Sequence, residues 1–121
     1  MEKGKLKEKS FKFAVRVVNL YKHLCEEKRE FVLSKQILRS GTSVGAMVRE
    51  AEYAESKADF IHKIAIAQKE CNETIYWLEL LQATEYISNT EFENIQPDAI
   101  EVIKMITSSI KTAKKSLPTN H

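Results

Sequence analysis

The sequence predicts an all-α protein whose four helices form an antiparallel, up-down-up-down bundle. Helix breakers are scarce, with only three glycines and two prolines in 121 residues. Apolar residues recur at every third or fourth position through four successive segments, which is the spacing of a helix with one buried face. The connections are short and favour antiparallel neighbours. We therefore treat residues 1–121 as a single four-helix-bundle domain, with a basic tail over residues 1–9 and a second tail over residues 118–121.

Helix one is predicted to begin near Ser10, because serine is a favoured N-cap residue. Its apolar spacing predicts an inner face made of Phe11, Ala14, Val18, Tyr21 and Cys25, widened by Val15, Val17 and Leu24. The charged residues 26–30 form the first connection.

Helix two is predicted over residues 31–54, and it carries two neighbouring stripes. The stripe expected in the core comprises Leu33, Ile37, Ser40, Val44, Met47, Ala51 and Ala54. The second stripe comprises Leu38, Gly41, Gly45 and Val48. A glycine inside a helix costs about 1 kcal/mol relative to alanine, so this thin stripe is expected to serve close packing against another helix.

Helices three and four complete the bundle. Helix three is predicted over residues 57–87, with Ser56 as N-cap and Asp59 completing a capping box. Its core face comprises Phe60, Ile61, Ile64, Ala67, Cys71, Thr74, Ile75, Leu78 and Leu81. Thr90 and Glu93 predict a capping box for a short helical piece over residues 91–96, and Pro97 fits the first turn of helix four. Helix four is expected to bury Ile100, Ile103, Met105, Ile106, Ile110 and Ala113, and to end near Leu117.

An antiparallel pairing of helices two and three about Ser56 sets small residues against each other. Gly41 then faces Cys71, and Gly45 faces Ala67. The same pairing predicts two polar contacts, Arg39 with Glu73 and Glu50 with His62. We interpret Arg39–Glu73 as an interhelical ion pair that fixes the register. The alternative is a pocket that presents Arg39 to a phosphate or carboxylate group.

Two stretches, "QILRSGTSVGAMVREA" and "SKADFIHKIAIAQKECNETIYWLELL", resemble the bacterial four-helix-bundle proteins encoded by intervening sequences of 23S ribosomal RNA genes. Positions that match the family pattern are Gln36, Arg39, Ser40, Ser43, Glu50, Ser56, Asp59, Phe60, Glu73 and Leu78. Met47 departs from it, since many members have asparagine there. We assign Arg39, Ser40, Gly41, Ser43, Gly45, Glu50 and Glu73 a structural role in the motif. The resemblance implies a homopentameric ring, and a related protein, the accessory variability protein of diversity-generating retroelements, binds nucleic acid and a reverse transcriptase.

The sequence contains no recognisable catalytic, cofactor-binding or metal-binding pattern. It has neither of the glycine-rich phosphate-binding motifs, no H-E-x-x-H, no paired C-x-x-C and no Glu-x-x-His. No segment approaches the roughly 20 apolar residues of a membrane span, and the start of the chain lacks the apolar run of a signal peptide. Cys25 and Cys71 suggest no disulfide framework. We therefore predict a cytoplasmic protein without enzymatic activity, cofactor or membrane partner.

Charge is distributed unevenly along the chain. Residues 1–49 carry twelve basic and five acidic groups, and residues 50–101 carry three basic and twelve acidic groups. The candidate nucleic-acid-binding residues are the lysines near the two chain ends, which the bundle brings together: Lys3, Lys5, Lys7, Lys9, Lys12, Lys111, Lys114 and Lys115. The turn between helices two and three lies at the same end and partly neutralises them. Opposite charges that face each other within the fold are the alternative interpretation.

These observations predict a homo-oligomer that binds RNA or another nucleic acid weakly through its basic end. The alternative is a protein-interaction scaffold with no nucleic-acid role. It depends on Ile66, Trp77, Leu80 and the glycine stripe, which together exceed the apolar surface that one small core requires. Self-assembly is the simplest use of such a surface.

Overall fold

The computed structural model describes residues 3–117, with side chains from residue 4 onward, and it confirms the all-α bundle. Helix α1 spans Lys3–Glu26, α2 spans Leu33–Glu52, α3 spans Lys57–Ala83 and α4 spans Asn89–Lys115. Each helix packs against the next one along the chain, and a sparser contact between α1 and α4 closes the bundle. The up-down-up-down order therefore places the start of α1, the α2–α3 turn and the end of α4 together.

One continuous core runs between the four helices. The largest fully buried apolar side chains are Phe13, Leu24, Ile37, Ile64, Leu78, Leu81 and Ile106. All four helices contribute to this set, so each of them owes its position mainly to burial of one face.

Helix α1 differs from its prediction at its start and in its buried face. It begins at Lys3, not at Ser10, so residues 3–9 of the expected tail are helical. Ser10 is buried inside the helix, and its hydroxyl donates to the carbonyl oxygen of Lys7 at 3.2 Å. The buried face is Leu6, Ser10, Phe13, Val17 and Leu24. The predicted inner face was therefore wrong for the exposed Phe11 and Val15 and confirmed for Val17 and Leu24, while its other four members are only partly buried: Ala14, Val18, Tyr21 and Cys25. The second tail, which was predicted over residues 118–121 at the other end of the chain, lies outside the described residues.

Helix α2 buries most of its predicted core stripe, but its glycines face a different neighbour. A Cβ atom at Gly41 would lie 2.7 Å from both γ-carbons of Val17, and one at Gly45 would lie 3.3 Å from the carbonyl oxygen of Ser10. Both contacts are with α1, so the predicted positions of the glycines against Cys71 and Ala67 were wrong. The thin stripe instead lets α1 approach α2 closely, as a row of small residues permits.

Glu30 caps α2 in a way the sequence analysis missed. Its carboxylate accepts hydrogen bonds from the backbone N–H groups of Val32, Leu33 and Ser34 at 3.1, 2.9 and 2.7 Å. These donors have no partner within the helix, because the first turn of an α-helix leaves its N–H groups free. Arg29 takes a positive φ of 54° in the preceding turn, which brings the Glu30 side chain back over the helix start.

Helix α3 begins at its predicted N-cap Ser56, but the predicted capping box is incomplete because the Asp59 carboxylate bonds Glu55 and not Ser56, and the helix ends earlier than predicted. The Ser56 hydroxyl accepts from the backbone N–H of Asp59 at 3.1 Å, while the Asp59 carboxylate accepts from the N–H of Glu55 at 3.2 Å. The chain leaves the helix after Ala83 through Glu85, whose φ is 67°. The buried residues confirm two thirds of the predicted face: Ile64, Ala67, Cys71, Thr74, Leu78 and Leu81.

Helix α4 is one continuous helix, with no break before Pro97. Its capping box is formed by Ser88 and Glu91, not by Thr90 and Glu93. Pro97 lies inside the helix, where its missing N–H leaves the carbonyl oxygen of Glu93, four residues earlier, without its usual partner. The guanidinium of Arg16 donates to the nearby carbonyl oxygen of Asn94 at 3.1 Å. This contact joins α1 to α4 at the proline. The buried face includes Ala99 and Val102, which the prediction omitted.

Candidate functional site

Ion pairs hold three of the eight candidate lysines. Lys7 pairs with Glu52 of α2 at 3.6 Å, Lys9 with Glu101 of α4 at 3.1 Å and Lys12 with Glu8 of its own helix at 4.0 Å. All six side chains are partly exposed, so each pair contributes at most about 1 kcal/mol to stability. These lysines are held on the surface by contacts that a stronger anion can replace.

The other described candidate lysines gather at the end of the bundle formed by the chain termini and the α2–α3 turn. Lys5, Lys111, Lys114 and Lys115 are exposed, and none forms an ion pair with another of the described residues. Lys57, exposed in the first turn of α3, lies at the same end. We call Lys5, Lys57, Lys111, Lys114 and Lys115 the lysine end. The side chain of Lys3 lies outside the described residues.

A cavity of about 470 Å³ opens at the lysine end between the α2–α3 turn and the last turns of α4. Phe60 and three alanines give it an apolar floor, and Lys57 and Glu52 lie at its rim. Hydroxyl groups line the remaining wall: Ser56, Ser109, Thr112 and Ser116. The hydroxyl and basic groups can donate hydrogen bonds to a polar ligand and the carboxylate can accept them, but this mixture selects no particular ligand.

Opposite charges also face each other between α1 and α4. Arg16 pairs with Asp98 at 2.5 Å and bonds the side chain of Asn94, and His23 Nε2 lies 3.8 Å from Glu91. Together with the Lys7 and Lys9 pairs, these contacts confirm the alternative interpretation that part of the charge asymmetry is balanced inside the fold. The basic surface available to a partner is therefore smaller than the sequence alone suggests.

Arg39 of α2 forms the centre of a polar cluster with α3. It donates to Glu73 at 2.6 Å and lies 3.4 Å from Glu70, which confirms the predicted ion pair. The indole N–H of Trp77 also donates to Glu73, at 3.1 Å. That indole bond lowers the pKa of Glu73; partial burial opposes the shift, and Arg39 adds to it. Since both acceptors of the guanidinium come from the protein itself, Arg39 acts as a link between helices.

The remaining polar residues of the motif also tie α2 to its surroundings. Buried Ser40 hydrogen bonds with buried Thr74 of α3 at 2.8 Å. The Ser43 hydroxyl donates to the carbonyl oxygen of Arg39 at 2.7 Å, within α2. Glu50 pairs with Lys63 at 3.2 Å, so its predicted partner His62 was wrong by one position. A neighbouring residue on the same turn of α3 thus supplies the cation.

The outer side of the α1–α2 contact is a shallow groove. A cavity of about 260 Å³ is lined there by Lys7, Phe11, Ala14, Thr42, Gly45, Ala46 and Arg49. The Arg49 guanidinium carbon lies 5.5 Å from the centre of the Phe11 ring, within the range of a cation–π contact. Phe11 is 54% exposed. The groove combines an accessible apolar surface with a basic rim.

Comparison with known families identifies the family of this chain. The sequence pattern described as 23S rRNA-intervening sequence protein matches residues 2–108. The chain belongs to this family.

A solved structure supports the family assignment. A crystal structure at 1.70 Å resolution of a protein of unknown function from the S23 ribosomal protein family of Bacteroides thetaiotaomicron VPI-5482 shares 59% sequence identity with this chain. The match covers 92% of this chain and 99% of that one, with a TM-score of 0.90. None of the curated proteins compared with the chain matches it. The 23S rRNA-intervening sequence family thus supplies the fold and leaves the activity open.

Three further observations concern the buried thiol, possible metal ligands and possible membrane spans of this family member. Burial raises the pKa of the Cys71 thiol to about 12, so the reactive thiolate form is suppressed in the folded protein. Within residues 3–117, no group of three His, Cys, Asp or Glu side chains is placed to hold a metal ion. In the same part of the chain, no helix combines the length and apolar character needed to cross a membrane.

Proposed function

We propose that this family member is a non-enzymatic homo-oligomer that binds RNA weakly through the lysine end. The observation that carries the proposal is the exposure of Lys111, Lys114 and Lys115 on the last turns of α4, beside Lys5 and Lys57. Lysine ammonium groups bind phosphates as point charges, so the binding would depend on salt and have little sequence preference. Both family names refer to ribosomal RNA or the ribosome, which makes structured RNA the first ligand to test.

The surface ion pairs support this proposal. Lys7 and Lys9 are held by Glu52 and Glu101 on partly exposed side chains, and exposed pairs contribute little to stability. A phosphate backbone, with its closely spaced charges, can compete for these lysines. The acidic turn at the same end limits the attraction, which is why the proposed affinity is low. Repetition of the lysine end in an oligomer would raise the affinity through simultaneous contacts.

The test is a titration of labelled structured RNA followed by fluorescence anisotropy. The variant Lys111→Gln/Lys114→Gln/Lys115→Gln removes three charges from the lysine end. The matched control, Lys22→Gln/Lys28→Gln/Lys35→Gln, removes three exposed charges towards the opposite end. We expect the first variant to weaken binding at low salt by about tenfold or more and to reduce the salt slope by roughly 2, since each lost phosphate contact reduces it by about 0.7. The control should bind like the unmodified protein.

Two results would contradict the RNA proposal. Absence of binding at low salt would reject RNA as the ligand, and equal losses in both variants would reject the lysine end as the site. The oligomer is tested separately by light scattering. A pentamer, which the family resemblance implies, would have five times the chain mass of 13.9 kDa. A monomer at micromolar concentration would reject the oligomer.

A protein-interaction scaffold without a nucleic-acid role is the second candidate. The exposed Phe11 and Val15 on the outer side of α1 favour it. Ile66, Trp77 and Leu80 contribute less than the sequence suggested, because all three are partly buried in the chain itself, and the glycine stripe is covered by α1. An oligomer that binds no RNA at low salt would support the scaffold.

A further inference from the structure

Two exposed aromatic side chains neighbour Arg49 of α2, one from α1 and one from the end of α2. Phe11 is 54% exposed and Tyr53 is 83% exposed. The Arg49 guanidinium carbon lies 5.5 Å from the centre of the Phe11 ring. Tyr53 follows Arg49 by four residues, a spacing that places two side chains next to each other on one face of a helix. We call Phe11, Arg49 and Tyr53 the aromatic platform.

The platform is open to a flat ligand. Tyr53 is the C-cap residue of α2, and its backbone N–H donates to the carbonyl oxygen of Glu50 at 3.1 Å, so the backbone holds the residue in place while the ring faces water. Beside Phe11, the wall of the shallow groove on α2 consists of short side chains: Thr42, Gly45 and Ala46. No bulky neighbour on that wall blocks the approach of a planar group to the Phe11 ring.

Arg49 supplies the positive charge of the platform. It is exposed, and it forms no ion pair with another of the described residues. The two carboxylates that follow it on α2 are held by lysines, Glu50 by Lys63 at 3.2 Å and Glu52 by Lys7 at 3.6 Å. The Arg49 guanidinium is therefore available to a phosphate, to a base or to both, since this group pairs with phosphates and stacks on aromatic rings.

The platform is continuous with the lysine end. Tyr53 lies in the α2–α3 turn, and Lys57 begins α3 four residues later. Phe11 lies about 9 Å along α1 from Lys5, at a rise of 1.5 Å per residue. A strand whose phosphates contact the lysine end can thus extend its bases onto the platform. The exposed carboxylate of Glu55, between Tyr53 and Lys57, opposes the phosphates and keeps the affinity low.

We infer that the aromatic platform binds unpaired bases of the RNA whose phosphates contact the lysine end. This preference rests on the proposed RNA binding and names the class of RNA that the same part of the bundle takes. An aromatic side chain stacks on the face of a base, and in a duplex those faces are covered by the neighbouring base pairs. Every base has such a face, so the platform distinguishes single strands from duplexes and not one sequence from another.

The test compares a single-stranded RNA of mixed sequence with the duplex that it forms with its complement, both followed by fluorescence anisotropy. Tyr53→Ala and Phe11→Ala each remove one ring, and Tyr53→Phe retains the ring. Tyr76→Ala is the matched control, since Tyr76 is 55% exposed on α3 and belongs neither to the platform nor to the lysine end. All these side chains are exposed, and circular dichroism verifies that the variants remain folded.

We expect the unmodified protein to bind the single strand more tightly than the duplex. Loss of either ring should weaken binding of the single strand by about tenfold, within the range of one stacked base, and leave binding of the duplex nearly unchanged. Tyr53→Phe and Tyr76→Ala should bind both RNAs like the unmodified protein. The salt slope should stay constant in the ring variants, because no phosphate contact is lost.

Three results would overturn the platform alone, while the lysine variants still report on the lysine end. They are equal binding of the single strand and the duplex, a single-strand affinity that either ring variant leaves unchanged, and a loss in Tyr76→Ala as large as that in Tyr53→Ala. A protein that binds neither RNA at low salt would overturn the proposed RNA binding itself.

Discussion

Arg39 of α2 and Glu73 of α3 form an ion pair with Nη2 and Oε2 2.6 Å apart, and Trp77 donates to the same carboxylate. Glu73 therefore holds two donors that come from different helices. Together with the buried hydrogen bond between the next residue of each helix, Ser40 and Thr74, this pair fixes the position of α2 along α3. Arg39 and Ser40 of the family motif thus both bond residues of α3.

Arg39→Ala tests the contribution of this pair to stability. Arg39 is 52% exposed, so water and salt weaken the attraction. We expect the free energy of unfolding, measured by urea denaturation, to fall by at most about 1 kcal/mol. Lys35→Ala, on an exposed residue of the same helix that forms no ion pair with the described residues, is the control. A loss no larger than that of the control would show that the pair does not stabilise the fold.

Gly41→Ala is expected to destabilise the protein, although alanine is the better helix former. The added methyl group would lie 2.7 Å from both γ-carbons of buried Val17, so α1 must move or Val17 must change rotamer. Such overpacking costs about 1–3 kcal/mol, which exceeds the gain of about 1 kcal/mol in helix propensity. The measurement is the thermal midpoint of unfolding by circular dichroism.

Gly4 provides the matched control for this substitution. Nothing lies within 4 Å of the position that a Cβ atom would occupy at Gly4. Gly4→Ala should therefore leave stability unchanged or raise it slightly. Equal midpoints for the two variants would mean that α1 does not pack on the glycine stripe as closely as the structure indicates.

The two cysteines should differ in their reaction with iodoacetamide. Burial raises the pKa of Cys71 to about 12, whereas Cys25 is only partly buried. Alkylation requires the thiolate and access to it. Mass spectrometry of the native protein should show modification at Cys25 well before Cys71, and Cys71 should react at the same rate as Cys25 in urea. Rapid native modification of Cys71 would show that the core opens readily.

The contact between α2 and α3 could be predicted from the sequence, and the position of α1 could not. Arg39 and Glu73 are opposite charges at matching positions about Ser56, so a single register satisfies both helices. On α1, Phe11 and Phe13 lie on different sides and are equally apolar, so periodicity alone cannot tell which of them faces the core. The glycines of α2 were assigned to α3 for the same reason, because the position of α1 was not fixed.

The N-terminal caps of α4 and α2 could not be predicted from the sequence either. Ser88–Glu91 and Thr90–Glu93 both have capping-box spacing, and the choice between them depends on the loop that leads into α4. Glu30 is three positions before Leu33, the first residue of α2, and it looks like part of an exposed charged stretch. Its role depends on the turn at Arg29, which no local sequence signal indicates.

Glu30 should make the stability of the protein depend on pH. Burial alone would raise the pKa of its carboxyl group, but the backbone N–H groups of Leu33, Ser34 and Val32 outweigh burial and lower it. A carboxylate with a lowered pKa in the folded state stabilises that state fully above its unfolded pKa, and the contribution disappears as the pH falls through the folded pKa. Glu30→Gln, which cannot carry the charge, should reduce the free energy of unfolding by about 1–2 kcal/mol at neutral pH, the range of a lost helix cap.

The pH dependence separates this cap from a general loss of charge. The difference in unfolding free energy between the unmodified protein and Glu30→Gln should stay constant from neutral pH down to roughly pH 5 and shrink below the ordinary pKa of a glutamate, about 4.3. Urea denaturation at several pH values measures it. Glu27→Gln, at an exposed residue of the same connection, removes the same charge without removing a cap. If that control shows the same loss and the same pH profile, the net charge of the loop, and not the hydrogen bonds of Glu30 to the start of α2, governs the stability there.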